Sequence, residues 1–166
     1  MKHIEKQLLL ELMKNCRRSD RELAKVLNVS QPTVSRLIKS LEKSGAIERY
    51  TIIPNLAKTA NDFIAVTFLS FSQDKPELFE KARDWTEKQP SVLLASNGEG
   101  LGMNSIMVSV HENYGSYSKL ITQLRRDWQP NLKDTETFMI SLTRPDLLIK
   151  RFSFHYPMTQ DSDKTT

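Results

Sequence analysis

The sequence predicts an α+β protein built in two parts, a helical first third followed by alternating strands and helices. Three observations carry that reading. Apolar residues recur at helical spacing up to about residue 44, and β-branched alternation takes over beyond residue 62. The charge is split in the same way. Residues 1–60 hold twelve Lys/Arg against six Asp/Glu, whereas residues 61–166 hold twelve against fourteen, within a 166-residue chain of net charge +4. A basic first third on a near-neutral remainder points to a nucleic-acid module joined to something that does other work.

The first helix is expected over about residues 3–15, where Ile4, Leu8, Leu9 and Leu12 share a face. Ser19 followed by Glu22 is a capping box and opens a second helix, with Leu23, Ala24 and Leu27 on its apolar stripe. Ala24 is small enough for another helix to cross closely over it. Asn28 tolerates the left-handed backbone that a sharp turn needs, and Val29 plugs the turn. Ser30 or Gln31 caps a third helix, and Pro32 falls in its first turn, where no intrahelical amide bond is lost. Gly45 ends it.

The third helix carries the chemistry. Val34, Leu37, Ile38 and Leu41 make one buried stripe. At about 100° per residue, Arg36, Lys39 and Lys43 fall opposite, flanked by Ser35 and Ser40, with Thr33 at the exposed first turn. That face suits the base-edge acceptors and phosphates of a DNA major groove. Ser30, Gln31, Thr33, Ser35 and Arg36 are the candidates for base or adjacent-phosphate contact. Lys39, Lys43 and Arg49 are candidates for neutralising phosphate. A solvated amphipathic helix would also show outward Lys and Arg. The cap, small crossing residue, turn Asn, plug and second cap at helix-turn-helix spacing favour DNA.

Ala46 to Ile53 alternates and is expected to be a wing strand ending at Pro54. The predicted domains are a winged helix-turn-helix over 1–54, a linker over 55–61, a second domain over 62–145, and an extension with a polar tail over 146–166. In the second domain, strands are expected at Phe63–Phe71, Ser91–Ser96, Ser105–Val110 and Thr135–Thr143. Helices are expected at Pro76–Lys88, burying Leu78, Ala82 and Trp85, and at Tyr114–Trp128, burying Tyr117, Leu120, Ile121, Leu124 and Trp128. The order βαββαβ implies a ferredoxin-like antiparallel sheet with two helices on one face. Ile64, Val66 and Phe68 point one way and Phe63, Ala65, Leu69 and Phe71 the other, so both faces are apolar although helices can cover only one. A homodimer packed sheet to sheet would cover the other; a tail bearing Phe152, Phe154 and Tyr156 is the competing cover.

A single cysteine, Cys16, excludes an intramolecular disulfide. His3, His111 and His155 have no ligand-like spacing, so no metal site or cofactor is expected. No apolar run reaches 18 residues and no signal peptide is apparent, which implies a soluble cytoplasmic protein with no membrane partner. No nucleophile motif or Walker A loop occurs, so no enzyme activity is expected.

Helix-turn-helix LAKVLNVSQPTVSRLIKSLEKSGAI, the following IERYTIIPN and a βαββαβ domain, in this order, resemble the Lrp/AsnC (feast/famine) family over about residues 3–143. The resemblance implies a DNA-binding transcription regulator, dimeric through the second domain, assembling into higher oligomers and taking a small effector. The family's turn between its second and third strands has the form Gly-x-x-Asp. Here Gly98 fits, but Leu101 stands in the place of the acid. The amides of Gly98, Gly100 and Gly102, with Glu99, are the candidate effector site, favouring an anionic group, and ordinary α-amino acids are expected to bind weakly. An architectural DNA-coating protein, or a small-molecule-sensing interaction module that does not bind DNA, is the alternative reading.

Overall fold

The computed structural model describes residues 1–72, 76–147 and 149–150. The chain divides into two compact units, Met1–Ile53 and Pro54–Lys150. No helix among the described residues is long and apolar enough to cross a membrane.

The first unit holds α1 (His3–Lys14), α2 (Asp20–Leu27) and α3 (Gln31–Lys43). Leu8, Leu12, Leu23, Ala24, Val34 and Leu41 form its core, with Leu9, Leu27, Val29, Leu37, Ile38 and Ile47 against them. Each helix start is set by its own sequence. The Ser19 side chain accepts from the Glu22 amide while the Glu22 carboxylate accepts from the Ser19 amide, so two otherwise orphaned donors are satisfied. Asn28 ends α2 in the left-handed region at φ 52°, ψ 47°. Gly45, at φ +74°, ends α3, its amide donating to the Glu42 carbonyl.

One expectation fails here. Residues 46–53 form no strand. A strand needs a neighbour to receive its backbone groups, and the first unit offers none: Ile47 donates to the Leu41 carbonyl, and Tyr50, Ile52 and Ile53 are exposed.

The second unit contains β1 (Phe63–Phe71), α4 (Pro76–Glu87), β2 (Val92–Gly100), β3 (Met103–His111), α5 (Tyr114–Trp128) and β4 (Leu132–Ser141). The sheet order is β2-β3-β1-β4 and every pairing is antiparallel, the ferredoxin-like arrangement. Ala65, Leu69 and Met107 of the sheet pack with Tyr117, Leu120, Ile121, Leu124 and Trp128 of α5, and Leu78, Ala82 and Trp85 of α4 lean on this core. All five predicted α5 residues are thus buried. At the end of the β1–β3 ladder the Asn104 side chain continues the pairing. Its Oδ1 accepts from the Phe71 amide and its Nδ2 donates to the Phe71 carbonyl, both at 2.9 Å.

Directly paired residues share a face of the sheet. Ile64 lies between Val110 and Ile140, Val66 between Val108 and Phe138, and Leu94 beside Val108. This apolar face is opposite the helices, and Leu94 and Phe138 are more than half exposed. The proposed tail cover, Phe152, Phe154 and Tyr156, lies outside the described residues.

The β2–β3 connection departs from the expected glycine-rich turn. Gly98 and Gly100 belong to β2, Gly100 pairs with Met103, and the turn is only Leu101–Gly102, both left-handed at φ 55° and 72°. Two consecutive positive-φ residues give the right-twisted hairpin turn. The register shifts between Asn97 and Gly100, so the glycines occupy an irregular strand and not a loop. β4 likewise begins three residues earlier than expected, at Leu132.

Candidate nucleic-acid interface and effector cleft

The outward face of α3 is assembled by its own N-terminus. Ser30 caps the helix by accepting from the Thr33 amide at 3.3 Å, and its hydroxyl lies 2.8 Å from that of Thr33. The Arg36 guanidinium donates to the Thr33 hydroxyl at 3.4 Å, one turn further on. Arg36 is therefore steered along the helix surface without being tied to a carboxylate. Gln31, Arg36, Lys39 and Lys43 are exposed, and none of the three cations is ion-paired among the described residues. An unpaired cation keeps its attraction for phosphate.

The remaining candidates differ. Arg49 donates to Glu48 at 3.1 Å, both being largely exposed, a pair too weak to remove Arg49 from use. The Ser35 hydroxyl donates to the Asp20 carboxylate, and the Ser40 hydroxyl donates to Glu5 at 2.9 Å. Neither contact was legible in the sequence, because the partners are 15 and 35 residues away. Glu5 is held below the usual carboxylate range, first by the Lys2 amide and then by Ser40. The Tyr50 hydroxyl donates to Glu42 at 3.2 Å, fixing the segment after α3 to that helix; burial, then Glu42, pushes its ionisation up.

In the second unit, a cleft of about 330 Å³ lies between α4 and the strands, lined by Phe71, Leu78, Phe79, Ala82, Asn97, Gly98, Glu99, Asn104, Ser105 and Trp128. Aromatic and aliphatic side chains line it together with Asn, Glu and Ser, the usual composition of a small-molecule site. Of the candidate effector residues, Gly98 and Glu99 line this cleft, Gly100 sits further along β2, and Gly102 is in the turn. The three glycine amides are not gathered into one loop. The aromatic and Asn lining was missed in the sequence because each residue comes from a different element.

A helix-turn-helix with a basic third helix, joined to a ferredoxin-like sheet, defines a class of nucleic-acid-binding protein. The winged helix-turn-helix DNA-binding family matches residues 1–48. The chain is 35% identical over 83 residues to the HTH-type transcriptional regulator LrpA of Pyrococcus abyssi, covering 50% of this chain and 57% of that protein. It is 41% identical over 58 residues to an uncharacterized HTH-type transcriptional regulator of Pyrococcus furiosus, covering 35% and 39%. The matched segments thus span about two fifths to three fifths of these relatives. Among solved structures, an AsnC family transcriptional regulator of Agrobacterium tumefaciens superposes with a TM-score of 0.78 at 14% identity, over 95% of this chain and 97% of that one. A transcriptional regulator of Neisseria meningitidis in complex with L-Met gives 0.78 at 17%, over 96% and 98%. The first 48 residues thus match a winged helix-turn-helix DNA-binding family, and the chain as a whole shares the fold of the Agrobacterium AsnC family regulator.

Proposed function

We propose that this protein is a sequence-specific, DNA-binding transcription regulator that works as a homodimer. The observation that carries the reading is the α3 surface: three unpaired cations on one exposed stripe, preceded by a capped N-terminus that presents Gln31, Thr33 and Arg36. In the major groove, Gln31 and Arg36 would read base edges, the first suited to adenine and the second to guanine. Thr33 would support Arg36, and the Ser30 cap would fix the helix start. Lys39, Lys43 and Arg49 would neutralise phosphate.

Dimerisation is supported by the helix-free sheet face, where Leu94 and Phe138 are more than half exposed beside the half-buried Ile64, Val66, Val108 and Val110. A second copy packed sheet to sheet would bury it and place two recognition helices on one duplex. The cleft beside α4 is the candidate effector site. It would take a small molecule whose apolar part rests on Phe71 and Trp128 and whose polar part meets Asn97, Glu99 or the Gly98 backbone. The Neisseria relative was crystallised with L-Met, which supports a small-molecule ligand as a class.

Selection of bound sequences from a random DNA pool, followed by a salt titration, tests the reading. The expected result is a near-palindromic motif with half-sites about one or more helical turns apart. Binding without sequence enrichment would replace a specific regulator with a DNA-coating protein. Absence of salt-dependent binding would remove DNA as the partner altogether.

A further inference from the structure

We propose that Ser35 and Ser40 are positioning residues that fix the roll of the recognition helix in the groove, each by donating its hydroxyl proton to a carboxylate on another helix. The inference rests on the proposed DNA-binding role of α3 and reassigns Ser35, whose place on the outward flank otherwise makes it a DNA contact.

The two serines are five residues apart, so on a helix they stand about 140° apart, one on each side of the basic stripe. Ser35 reaches Asp20 in the first turn of α2, and Ser40 reaches Glu5 in the first turn of α1. The recognition helix is therefore restrained from both flanks by different neighbours. The apolar stripe beneath it supplies the adhesion through packing, a non-directional attraction to which the two hydroxyl bonds add direction at the edges. Hydrogen bonds to a carboxylate are directional and about twice as strong as neutral ones.

The Glu5 anchor is itself fixed. The Glu5 Oε2 accepts from the Lys2 amide at 2.8 Å while its Oε1 receives Ser40. Both carboxylates sit where the positive end of a helix dipole favours them. A hydroxyl has one proton to give. With that proton committed to Asp20, Ser35 has nothing to donate to a phosphate oxygen or to the guanine acceptors. What it controls is where Arg36 and Gln31 point. Base readout requires alignment within about 10–20°, so a slack roll angle blurs every base contact at once.

The test is a set of DNA selections with the full-length parent and with Ser35→Ala, Asp20→Ala, the double variant and Asp20→Asn, each checked for folding by thermal melt. Ser35→Ala and Asp20→Ala should give the same flattened preference at all contacted positions. Discrimination should fall by about fivefold to tenfold. The double variant should be no worse than either single, the signature of one shared interaction. Asp20→Asn keeps an acceptor oxygen and should keep the parent's profile, which separates the hydrogen bond from the charge. The salt slope should not change in the Ser35 variant, because no phosphate contact is lost. Relaxation at a single base pair in Ser35→Ala, with Asp20→Ala unchanged, would make Ser35 a direct reader and overturn the inference alone. So would an unchanged profile in all folded variants. A parent that selects no sequence would overturn the proposed function and this inference with it. Should Asp20→Ala not fold, Ser35→Thr, which retains the hydroxyl, must restore the profile lost in Ser35→Ala.

Discussion

The two units treat their outward surfaces in opposite ways. Met1–Ile53 buries one small apolar core and organises the rest by hydrogen bonds: capped helix starts, serines bound to carboxylates, and a cationic stripe with no ion pair among the described residues. Pro54–Lys150 fills one side of its sheet with α4 and α5 and leaves the other side apolar and uncovered by the described residues. A charged stripe is stable in water and waits for a charged partner. A bare apolar sheet face is not comfortable in water and calls for a partner of its own kind. On the proposed reading the chain divides recognition from assembly, and each should be open to disruption without the other.

The largest expected effect breaks assembly. Val66→Arg places a charge in the middle of the bare face, beside Val108 and Phe138. Sedimentation should show monomer, and binding to a two-half-site operator should weaken by about a hundredfold or more as two linked heads become one. A dimer that survives this change would show that the sheet face is not the interface. On the other unit, Arg36→Ala should cost about 1–3 kcal/mol on the preferred site and relax its base preference. Lys43→Ala should weaken all sequences alike and lower the salt slope by about one. Titrations at several salt concentrations distinguish these two outcomes.

Acid sharpens the comparison, because it should act on the sheet unit first. His111 is buried, 2.8 Å from the Ser109 hydroxyl and packed against Phe63 and Tyr117. Burial holds its pKa below the ordinary value of 6.5. The unfolded chain therefore binds a proton more readily than the folded one. The stabilisation from neutral His111 is complete above the unfolded pKa and is lost as pH falls through the ordinary histidine range toward the lower folded value. The melting temperature of the sheet unit should drop over that interval, and His111→Gln should flatten the slope. A parent melt that does not respond to pH there would contradict the assignment.

A smaller effect is expected at Leu101, an exposed leucine held at φ 55°. Leu101→Asn should raise the melting temperature, with a gain of about 0.5–1 kcal/mol, because Asn tolerates the left-handed region and suits this hairpin turn. The smallest effect concerns ligands. Thermal melts against the twenty amino acids should show little shift, whereas a ligand at about a hundred times its dissociation constant adds about 2.7 kcal/mol. One clear rise, removed by Trp128→Ala or by substitution at Gly98, would mean that the missing acid at Leu101 matters less than the cleft.

What could be read from the chain followed the range of the signals. The Ser19–Glu22 capping box, the left-handed Asn28, and the spacing of Tyr117, Leu120, Ile121, Leu124 and Trp128 are local, and each was legible in full. The strand expected at residues 46–53 was not, because alternation there reports a willingness to pair without supplying a neighbour. Glycines at 98 and 100 suggested a loop, yet an exposed edge strand tolerates them and needs only Leu101–Gly102 to reverse direction. The candidate site divides similarly. The cations of α3 announced themselves by periodicity, whereas the Ser35–Asp20 and Ser40–Glu5 bonds exist only once the helices have packed.

The side chain of Asn104 has a consequence for the cleft it lines. By offering both a donor and an acceptor to Phe71, it acts as a borrowed peptide group and adds one rung to the sheet. The Phe71 wall of the cleft is thereby braced by the sheet itself, so a ligand of the kind proposed would meet it already ordered. Replacing that amide by the nearly isosteric Asp would keep an acceptor and lose the donor, turning a finished rung into a carboxylate facing the Phe71 carbonyl. The shape of the cleft would then fail through one side chain whose work is to stand in for backbone.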